Sequence, residues 1–166
     1  MGKESSASPF TRKSRYKKDN YVGGVPGSKI QIFDMGEKAG EFTTKVSLLS
    51  KDALQIRNNA LESARIVINR YLIKKVGKTG YHFKVKVYPH HVMREHALAT
   101  GAGADRFSTG MQKAYGKSIG TAAQVRAGQE LMYVRVNGEN IIKATESLRK
   151  ASKKLPCRTI VVVKQL

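Results

Sequence analysis

Residues 81–88 read YHFKVKVY and form the clearest β-strand pattern in the chain. Large apolar side chains occupy every second position, which places them together on one face of a strand. They are Tyr81, Phe83, Val85 and Val87. The opposite face carries His82, Lys84, Lys86 and Tyr88, with no acidic residue among them. Such a face could simply be solvated, but solvated strand faces usually mix both charge signs, so the pattern favours contact with RNA phosphates.

The remaining patterns place helices and further strands around this one. Two amphipathic helices are predicted, one from about residue 50 to 75 and one from 139 to 155. Further strands are predicted at 29–34, 43–49, 121–126, 130–136 and 159–163. The predicted fold is α+β, a two-layer sandwich in which two long helices pack on a mixed, mostly antiparallel sheet.

Several local expectations follow from these patterns. Ile30 and Ile32 should both point inward, and residues 35–40 should form a turn. The hydroxyl of Ser50 should cap the first helix. Strands 121–126 and 130–136 should pair through a turn near 127–129. Residues 159–163 are apolar and β-branched, so they should form a central strand that is buried on both faces.

The chain is strongly basic. It has 31 Lys and Arg against 12 Asp and Glu, a net charge of +19 over 166 residues. Such a charge repels itself in the folded state and calls for a polyanionic partner, of which nucleic acid is the commonest. An anionic membrane is the competing partner, but no apolar run approaches the roughly 20 residues that cross a bilayer, so we expect no membrane partner. The single cysteine, Cys157, excludes an internal disulfide and suits the reducing cytoplasm.

We predict a basic N-terminal arm at 1–28 and a single α+β domain at 29–166. The arm interleaves cations, which neutralise phosphates, with aromatic rings, which can stack on bases. Its predicted RNA-binding residues are Arg12, Lys13, Arg15, Tyr16, Lys17 and Lys18. A charge run can also be a solvated tail, but the large overall charge favours an RNA-binding arm.

Residues 97–120, ALATGAGADRFSTGMQKAYGKSIG, show neither helical nor strand periodicity and are rich in small residues. Connections longer than about 12–15 residues in a compact domain are usually functional or disordered. Small side chains let a backbone approach a partner closely, although a solvated, floppy loop is the alternative. Within the loop Arg106, Lys113 and Lys117 are cationic donors suited to phosphate, and the predicted RNA contacts in and beside it are Arg94, Lys113, Lys117 and Arg126.

Two other kinds of site fail on residue spacing. Gly116-Lys117-Ser118 resembles the end of a phosphate-binding loop, but the first glycine of that motif would fall on Met111. His90, His91 and His96 match no common zinc spacing, and although Glu95 and Asp105 lie near them in the sequence, no pattern fixes those carboxylates in a catalytic geometry. We therefore predict no metal, no cofactor, no small-molecule substrate and no enzymatic activity. His90 and His91 are assigned to RNA contact instead.

Three segments together resemble one known family. They are GVPGSKIQIFDMG at 24–36, YHFKVKVYPHHVMR at 81–94 and GAGADRFSTGMQKAYGK at 101–117. The resemblance is to the large-ribosomal-subunit protein L-sixteen family, in its archaeal and eukaryotic branch (L-ten-e), and runs from about residue 12 to about 163. The end at Leu166 is similar to archaeal members, since eukaryotic members carry a long extra tail.

The resemblance implies an α/β hammerhead fold and a structural role in the large ribosomal subunit, in the cytoplasm. Members of the family bind the large rRNA between the central protuberance and the peptidyl-transferase region and send their Gly-rich loop toward tRNA. Carried onto this sequence, the loop residues that face tRNA are Gly101, Ala102, Gly103, Ala104, Asp105, Arg106, Phe107, Ser108, Thr109, Gly110 and Met111. The expected partners are large-subunit rRNA, tRNA and neighbouring large-subunit proteins.

Two alternatives remain at this point. One is a free-standing RNA-binding or chaperone protein of similar fold. The other, further behind, is an RNA-modifying enzyme that uses the histidines.

Overall fold

The strands lie in two sheets, one of four strands and one of five. The computed structural model describes residues 24–96, 98–108, 110–112 and 115–166, and the backbone of residues 7–8. In these ranges the strands are β1 (Ala7–Ser8), β2 (Asp34–Gly36), β3 (Thr44–Ser50), β4 (Leu54–Arg57), β5 (Tyr81–Val85), β6 (His91–Glu95), β7 (Lys117–Val125), β8 (Glu130–Val136) and β9 (Thr159–Gln165). The helices are α1 (Asn58–Lys75), α2 (Ala104–Phe107) and α3 (Ile141–Ser152), the last preceded by a 3₁₀ turn at Gly138–Asn140.

The α+β class is therefore confirmed, but the arrangement of the sheet differs from the prediction. The strand orders are β1-β4-β7-β6 and β2-β5-β8-β3-β9. Every strand pair within the described ranges is antiparallel, so the predicted single mixed sheet is replaced by two antiparallel ones. Helices α1, α2 and α3 have 18, 4 and 12 residues, so a short third helix joins the two that were predicted.

The core lies between the five-stranded sheet and the helices α1 and α3. These helices pack on each other, and α1 also contacts β4 and β7 of the four-stranded sheet. The predicted inward face of the strand at 81–88 is buried, although β5 itself ends at Val85. The predicted amphipathic helices bury one side against that core; their buried apolar residues are Leu61, Ala64, Ile68, Leu72, Ala144, Leu148 and Ala151.

The first helix begins later than predicted. Residues Leu54–Arg57 form β4, which pairs with β7, and α1 begins only at Asn58. Ser50 is the last residue of β3, and its hydroxyl donates to the Asp52 carbonyl at 2.8 Å, so it caps no helix. Pairing with a strand about 70 residues away in sequence overrides the local helical pattern here, as tertiary contacts often do.

The first predicted strand is also displaced. Residues 29–33 form no strand, and β2 lies at Asp34–Gly36, which overlaps the predicted strand only at Asp34 and the predicted turn at residues 35–36. Ile30 is 2% exposed whereas Ile32 is 53% exposed, so only Ile30 points inward. The pairing of Asp34 with Lys84 on β5 sets this strand, rather than apolar alternation.

The predicted pairing of 121–126 with 130–136 is wrong. β7 pairs with β4 and β6, whereas β8 pairs with β3 and β5. A turn at Gly128, with φ +78, carries the chain from one sheet to the other, and its N–H donates to the Ser50 carbonyl at 2.7 Å. Because β7 begins at Lys117, the last four residues of the predicted loop 97–120 belong to a strand.

The last strand lies at an edge and not at the centre of its sheet. β9 pairs with β3, and no other described strand lies beside it. Ile160 and Val163 are 43% and 47% exposed, so the strand is not buried on both faces. A β-branched composition indicates a strand, but it does not distinguish an edge from a centre.

Candidate nucleic-acid interface

The predicted N-terminal arm falls almost entirely outside the described residues. This includes all six of its proposed RNA contacts, Arg12, Lys13, Arg15, Tyr16, Lys17 and Lys18. Ala7 and Ser8 are described, and they pair with Ile56 and Gln55 as an edge strand of the four-stranded sheet. RNA binding by the arm therefore stays a prediction.

The open face, as we name it, is the face of the five-stranded sheet opposite α1 and α3. The strand register places a row of basic residues side by side across it, which we call the cation row. From β5 to β9 its members are His82, Arg135, Lys45 and Lys164. Neighbouring strands lie about 4.8 Å apart, and like charges directly opposite each other are unfavourable. The row is therefore suited to an anion that runs across the strands.

Glu130 partly neutralises this face. Its carboxylate lies 2.7 Å from Lys45 Nζ and 3.0 Å from Lys86 Nζ, and it accepts the Ser47 hydroxyl at 2.6 Å. Burial acts to raise the pKa of Glu130, but the hydrogen bonds from Lys45, Ser47 and Lys86 outweigh it and lower the pKa to about 2. Glu130 is therefore ionised at neutral pH and holds Lys45 and Lys86 in place.

Asp34 supplies the second carboxylate of the open face. Its two oxygens lie 2.6 Å from His82 Nε2 and 3.7 Å from Lys84 Nζ. The strand at 81–88 has no acid of its own, but its neighbours β2 and β8 bring Asp34 and Glu130 onto the same face. The expected acid-free surface is thus corrected to one in which cations exceed carboxylates.

Tyr133 lies beneath these cations. Its ring centroid is 4.4 Å from Lys45 Nζ, 5.8 Å from Lys86 Nζ and 5.3 Å from the Arg135 guanidinium carbon. Arg135 Nε is buried and has no hydrogen-bond partner among the described residues, which costs free energy. An anion beside the guanidinium would offset part of that cost.

The strands β6 and β7 form a hairpin whose connection holds the predicted Gly-rich loop. At its stem the Arg94 guanidinium stacks on the Tyr115 ring at 3.8 Å and donates to the Tyr115 carbonyl at 3.0 Å. The His96 ring donates from Nε2 to the Gly110 carbonyl at 2.6 Å. Both contacts join the segment that enters the loop after β6 to the segment that leaves it before β7, so they fix the base of the loop relative to the two strands.

The tip of this loop has more structure than its composition predicts. It contains the short helix α2, which follows Gly101 and Gly103 at φ +117 and +74. The Ser108 hydroxyl accepts the Ala99 N–H at 3.2 Å across the base of the tip. Phe107 and Met111 are each 84% exposed, so the tip presents large apolar groups as well as small ones.

The predicted RNA contacts do not form one cluster: some lie on the open face, some at the stem of the loop and some elsewhere. Lys84 and Lys86 are about half exposed on the open face, whereas His82 is 6% exposed beneath them. At the loop stem, Arg94 and Lys117 are both exposed.

The remaining predicted contacts lie elsewhere. His90 is exposed, and His91 is half-buried in β6 opposite Ala122. Arg126 is exposed beyond the far end of β7, about 30 Å along the strand from Lys117. Lys113 and Thr109 lie outside the described residues.

Sequence reasoning missed three members of the open face, Lys45, Arg135 and Lys164. Lys45 and Arg135 occupy polar positions of strands that were predicted, so the alternation alone could have assigned them to an outer face. Their placement side by side depends on register, which the local pattern does not contain.

Other kinds of site find little support in the described part of the chain. There, no three His, Cys, Asp or Glu side chains lie close enough to hold a metal ion, and no helix has the length and apolarity to cross a bilayer. Cys157 is packed in the core, and burial raises the pKa of its thiol.

Replacing Glu130 by glutamine is expected to lower the free energy of unfolding at pH 7 by roughly 2 kcal/mol, allowing for solvent screening. The folded carboxyl has a pKa of about 2 against an ordinary 4.5, so its stabilisation is present above pH 4.5. It is lost as the pH falls toward 2. Urea unfolding of both proteins over this pH range should show the difference shrinking.

Glu146→Gln is the matched control for this measurement. Its carboxylate is 51% exposed and pairs with Lys150, so its loss should change the stability little. A Glu130→Gln effect that is the same at pH 7 and pH 2.5 would contradict the assigned pKa.

A family profile and several relatives of known name match almost the whole of this sequence, and they all indicate the same family. A profile of the family described as ribosomal protein L16p/L10e matches residues 9–162. The protein from Methanocella arvoryzae named large ribosomal subunit protein uL16 is 50% identical over 165 residues, which cover 99% of this chain and 92% of that protein. Proteins of the same name from Archaeoglobus fulgidus and Methanococcus aeolicus are 45% and 46% identical, covering 90% and 91% of this chain and 86% and 87% of their own lengths.

Proposed function

Because this chain belongs to the ribosomal protein L16p/L10e family, as an archaeal-type member, we propose that it anchors itself on large-subunit rRNA and helps to position tRNA with its Gly-rich loop. The chain is a structural, non-enzymatic constituent of the large subunit of the cytoplasmic ribosome. Its proposed location on the rRNA is between the central protuberance and the peptidyl-transferase region.

The cation row supports rRNA binding most directly. It spans four adjacent strands, with Arg135, Lys45 and Lys164 side by side and His82 buried at its β5 end. Glu130 holds Lys45 and Asp34 holds His82, so Arg135 and Lys164 are the members most available to phosphates. Phosphate contacts of this kind gain most of their free energy from the release of counterions. The arm at 1–28 would extend the same contact from the body at 29–166.

The hairpin supports the second part of the proposal. Arg94 and His96 fix its stem, while the tip from residue 98 to 108 is exposed or half-exposed. A stem held by these contacts can place the exposed tip against a folded RNA at a defined distance from the rest of the protein. The protein would order the RNA, and the RNA would carry out the chemistry.

Shortening the loop by deleting residues 102–109 is expected to leave the protein in the large subunit while tRNA binding in the aminoacyl and peptidyl sites weakens. The reason is that the deletion removes the tip but none of the open face. Salt-washed subunits from cells that carry only the variant should be assayed for the protein by immunoblot and for tRNA by filter binding.

The matched control keeps the length of the loop and replaces 102–109 by glycine and serine. If this control binds tRNA normally, the length of the tip is what matters; if it binds tRNA as weakly as the deletion, the side chains of 102–109 are required. Loss of the shortened protein from the subunit would contradict the proposed division between body and loop.

The same preparation tests the alternative of a free-standing RNA chaperone. A structural constituent should sediment with large subunits through about 0.5 M monovalent salt, whereas a factor held by a few phosphate contacts should wash off.

A further inference from the structure

The edge strand β9 has an unusual combination of length, composition and exposure. It spans seven residues, TIVVVKQ, and its outer side has no strand beside it among the described residues. Proteins usually protect such edges with charge, proline, bulges or short length, because an open edge pairs with other chains. The first five residues of β9 carry none of these features. The outer edge of β9 is therefore able to form backbone hydrogen bonds with a strand from another chain.

The register shows which backbone groups face outward. Lys51 N–H donates to the Arg158 carbonyl at 2.8 Å, and Leu166 N–H donates to the Thr43 carbonyl at 3.0 Å, so even-numbered residues bond to β3. In an antiparallel pair the alternate residues direct their N–H and C=O groups away from the partner. These outward residues are Thr159, Val161, Val163 and Gln165.

The spacing and chemistry of this edge match a polypeptide better than RNA. Each outward residue offers one donor and one acceptor, and the outward residues are about 6.6 Å apart, which is the pattern that an added strand satisfies. A phosphate could accept from the N–H groups but has no donor for the carbonyls. The exposed Ile160 and Val163 would also lose water to an apolar side chain on an added strand.

The positive charge around β9 favours an added strand that carries acidic residues. Residues 156–166 contain no Asp or Glu, and the exposed cations Arg158 and Lys164 stand near the two ends of the strand. Lys153 and Lys154, also exposed, precede it. A second copy of this chain would bring another charge of +19 to the same place, which is unfavourable.

We propose that β9 is a docking edge for an extended, acidic segment of another protein, which adds a sixth strand to the five-stranded sheet. The segment would alternate apolar and acidic residues, so that its apolar side chains meet Ile160 or Val163 and its acids meet the flanking cations. This contact is distinct from RNA binding, because it uses the edge of the sheet and not its open face.

The test uses the full-length protein and fluorescent nine-residue peptides, measured by anisotropy at about 0.1 M salt, where charge attraction is still felt. One peptide alternates valine and glutamate, and its counterpart alternates valine and lysine. The Val163→Pro variant removes one outward N–H without breaking a bond to β3. The Val163→Ala variant is its control, because it also shortens the side chain but keeps that N–H.

We expect the glutamate peptide to bind at least about tenfold more tightly than the lysine peptide. Val163→Pro should weaken its binding about tenfold, while Val163→Ala stays within about threefold. If Val163→Pro does not fold, the unaltered protein is tested with a glutamate peptide N-methylated at alternate residues, which should bind about tenfold more weakly.

Three results would overturn the proposal. Equal binding by Val163→Pro and Val163→Ala, or by the methylated and unmethylated peptides, would exclude pairing with the edge. Equal binding of the lysine and glutamate peptides would exclude an acidic partner. A concentration-dependent dimer that Val163→Pro abolishes, seen by analytical ultracentrifugation, would assign the edge to a second copy of the chain.

Discussion

Replacing Lys84, Arg135 and Lys164 together by glutamine is expected to weaken binding of large-subunit rRNA on the order of 100-fold at about 0.1 M salt. Glu130 pairs with none of these three cations, and Lys84 lies at the longer distance of 3.7 Å from Asp34, so they are held less closely than Lys45 and Lys86, which lie 2.7 and 3.0 Å from Glu130. The slope of log affinity against log salt should flatten by about 0.7–0.9 for each phosphate that the variant no longer neutralises. Filter binding to an rRNA fragment over a salt series measures both quantities.

The folded state should tolerate this triple change. Arg135 lies directly beside Lys45 in the register, so its neutralisation removes a like-charge neighbour of Lys45. The matched control replaces Arg149, Lys153 and Lys154, three exposed cations at the end of the helical layer. Equal weakening by both variants would mean that affinity follows net charge alone and that the open face has no special part in it.

Gly36→Ala is expected to reduce the free energy of unfolding by more than about 3 kcal/mol. The residue has φ +85, and an added Cβ would overlap the Tyr81 carbonyl oxygen. That same oxygen accepts the Glu37 N–H at 2.9 Å, so it cannot move away without breaking that bond. The change should also loosen β2, which brings Asp34 to His82 and Lys84.

Gly77→Ala is the control for this prediction. Its φ is +93, but a Cβ there would meet nothing within 4 Å, so only the backbone strain of about 1–2 kcal/mol should appear. Urea unfolding of the two variants at pH 7 separates the strain from the clash. Equal destabilisation would show that the Tyr81 carbonyl gives way at little cost.

Much of the fold follows from local pattern, and the reason can be seen at particular elements. The alternation at 81–88, the helical stripes of α1 and α3, and the strands β3 and β8 are strong local periodicities, and the structure confirms each of them. The errors lie where a distant strand competes with the local pattern. Leu54–Arg57 was predicted as helix but pairs with β7, and residues 35–36 were predicted as a turn but pair with β5.

The candidate site divides in the same way. Lys84, Lys86 and the stem residues Arg94 and Lys117 could be selected from sequence because charge and loop composition are local properties. Glu130, Tyr133 and Arg135 could not be connected to them, since the strand that carries them is about 50 residues away from β5 in the chain. The burial of His82 beneath its neighbours could not be predicted from the local pattern either.

The sequence by itself determined the α+β class, the excess of positive charge, the Gly-rich segment and the family. Only the tertiary structure decided that the strands divide into two sheets, that β9 lies at an edge and that residues 45, 82, 135 and 164 stand in one row. The physical reason is that periodicity assigns a side chain to a face of its own strand. Which strand becomes its neighbour, and in which register, is set by hydrogen bonds and packing between segments far apart in the chain.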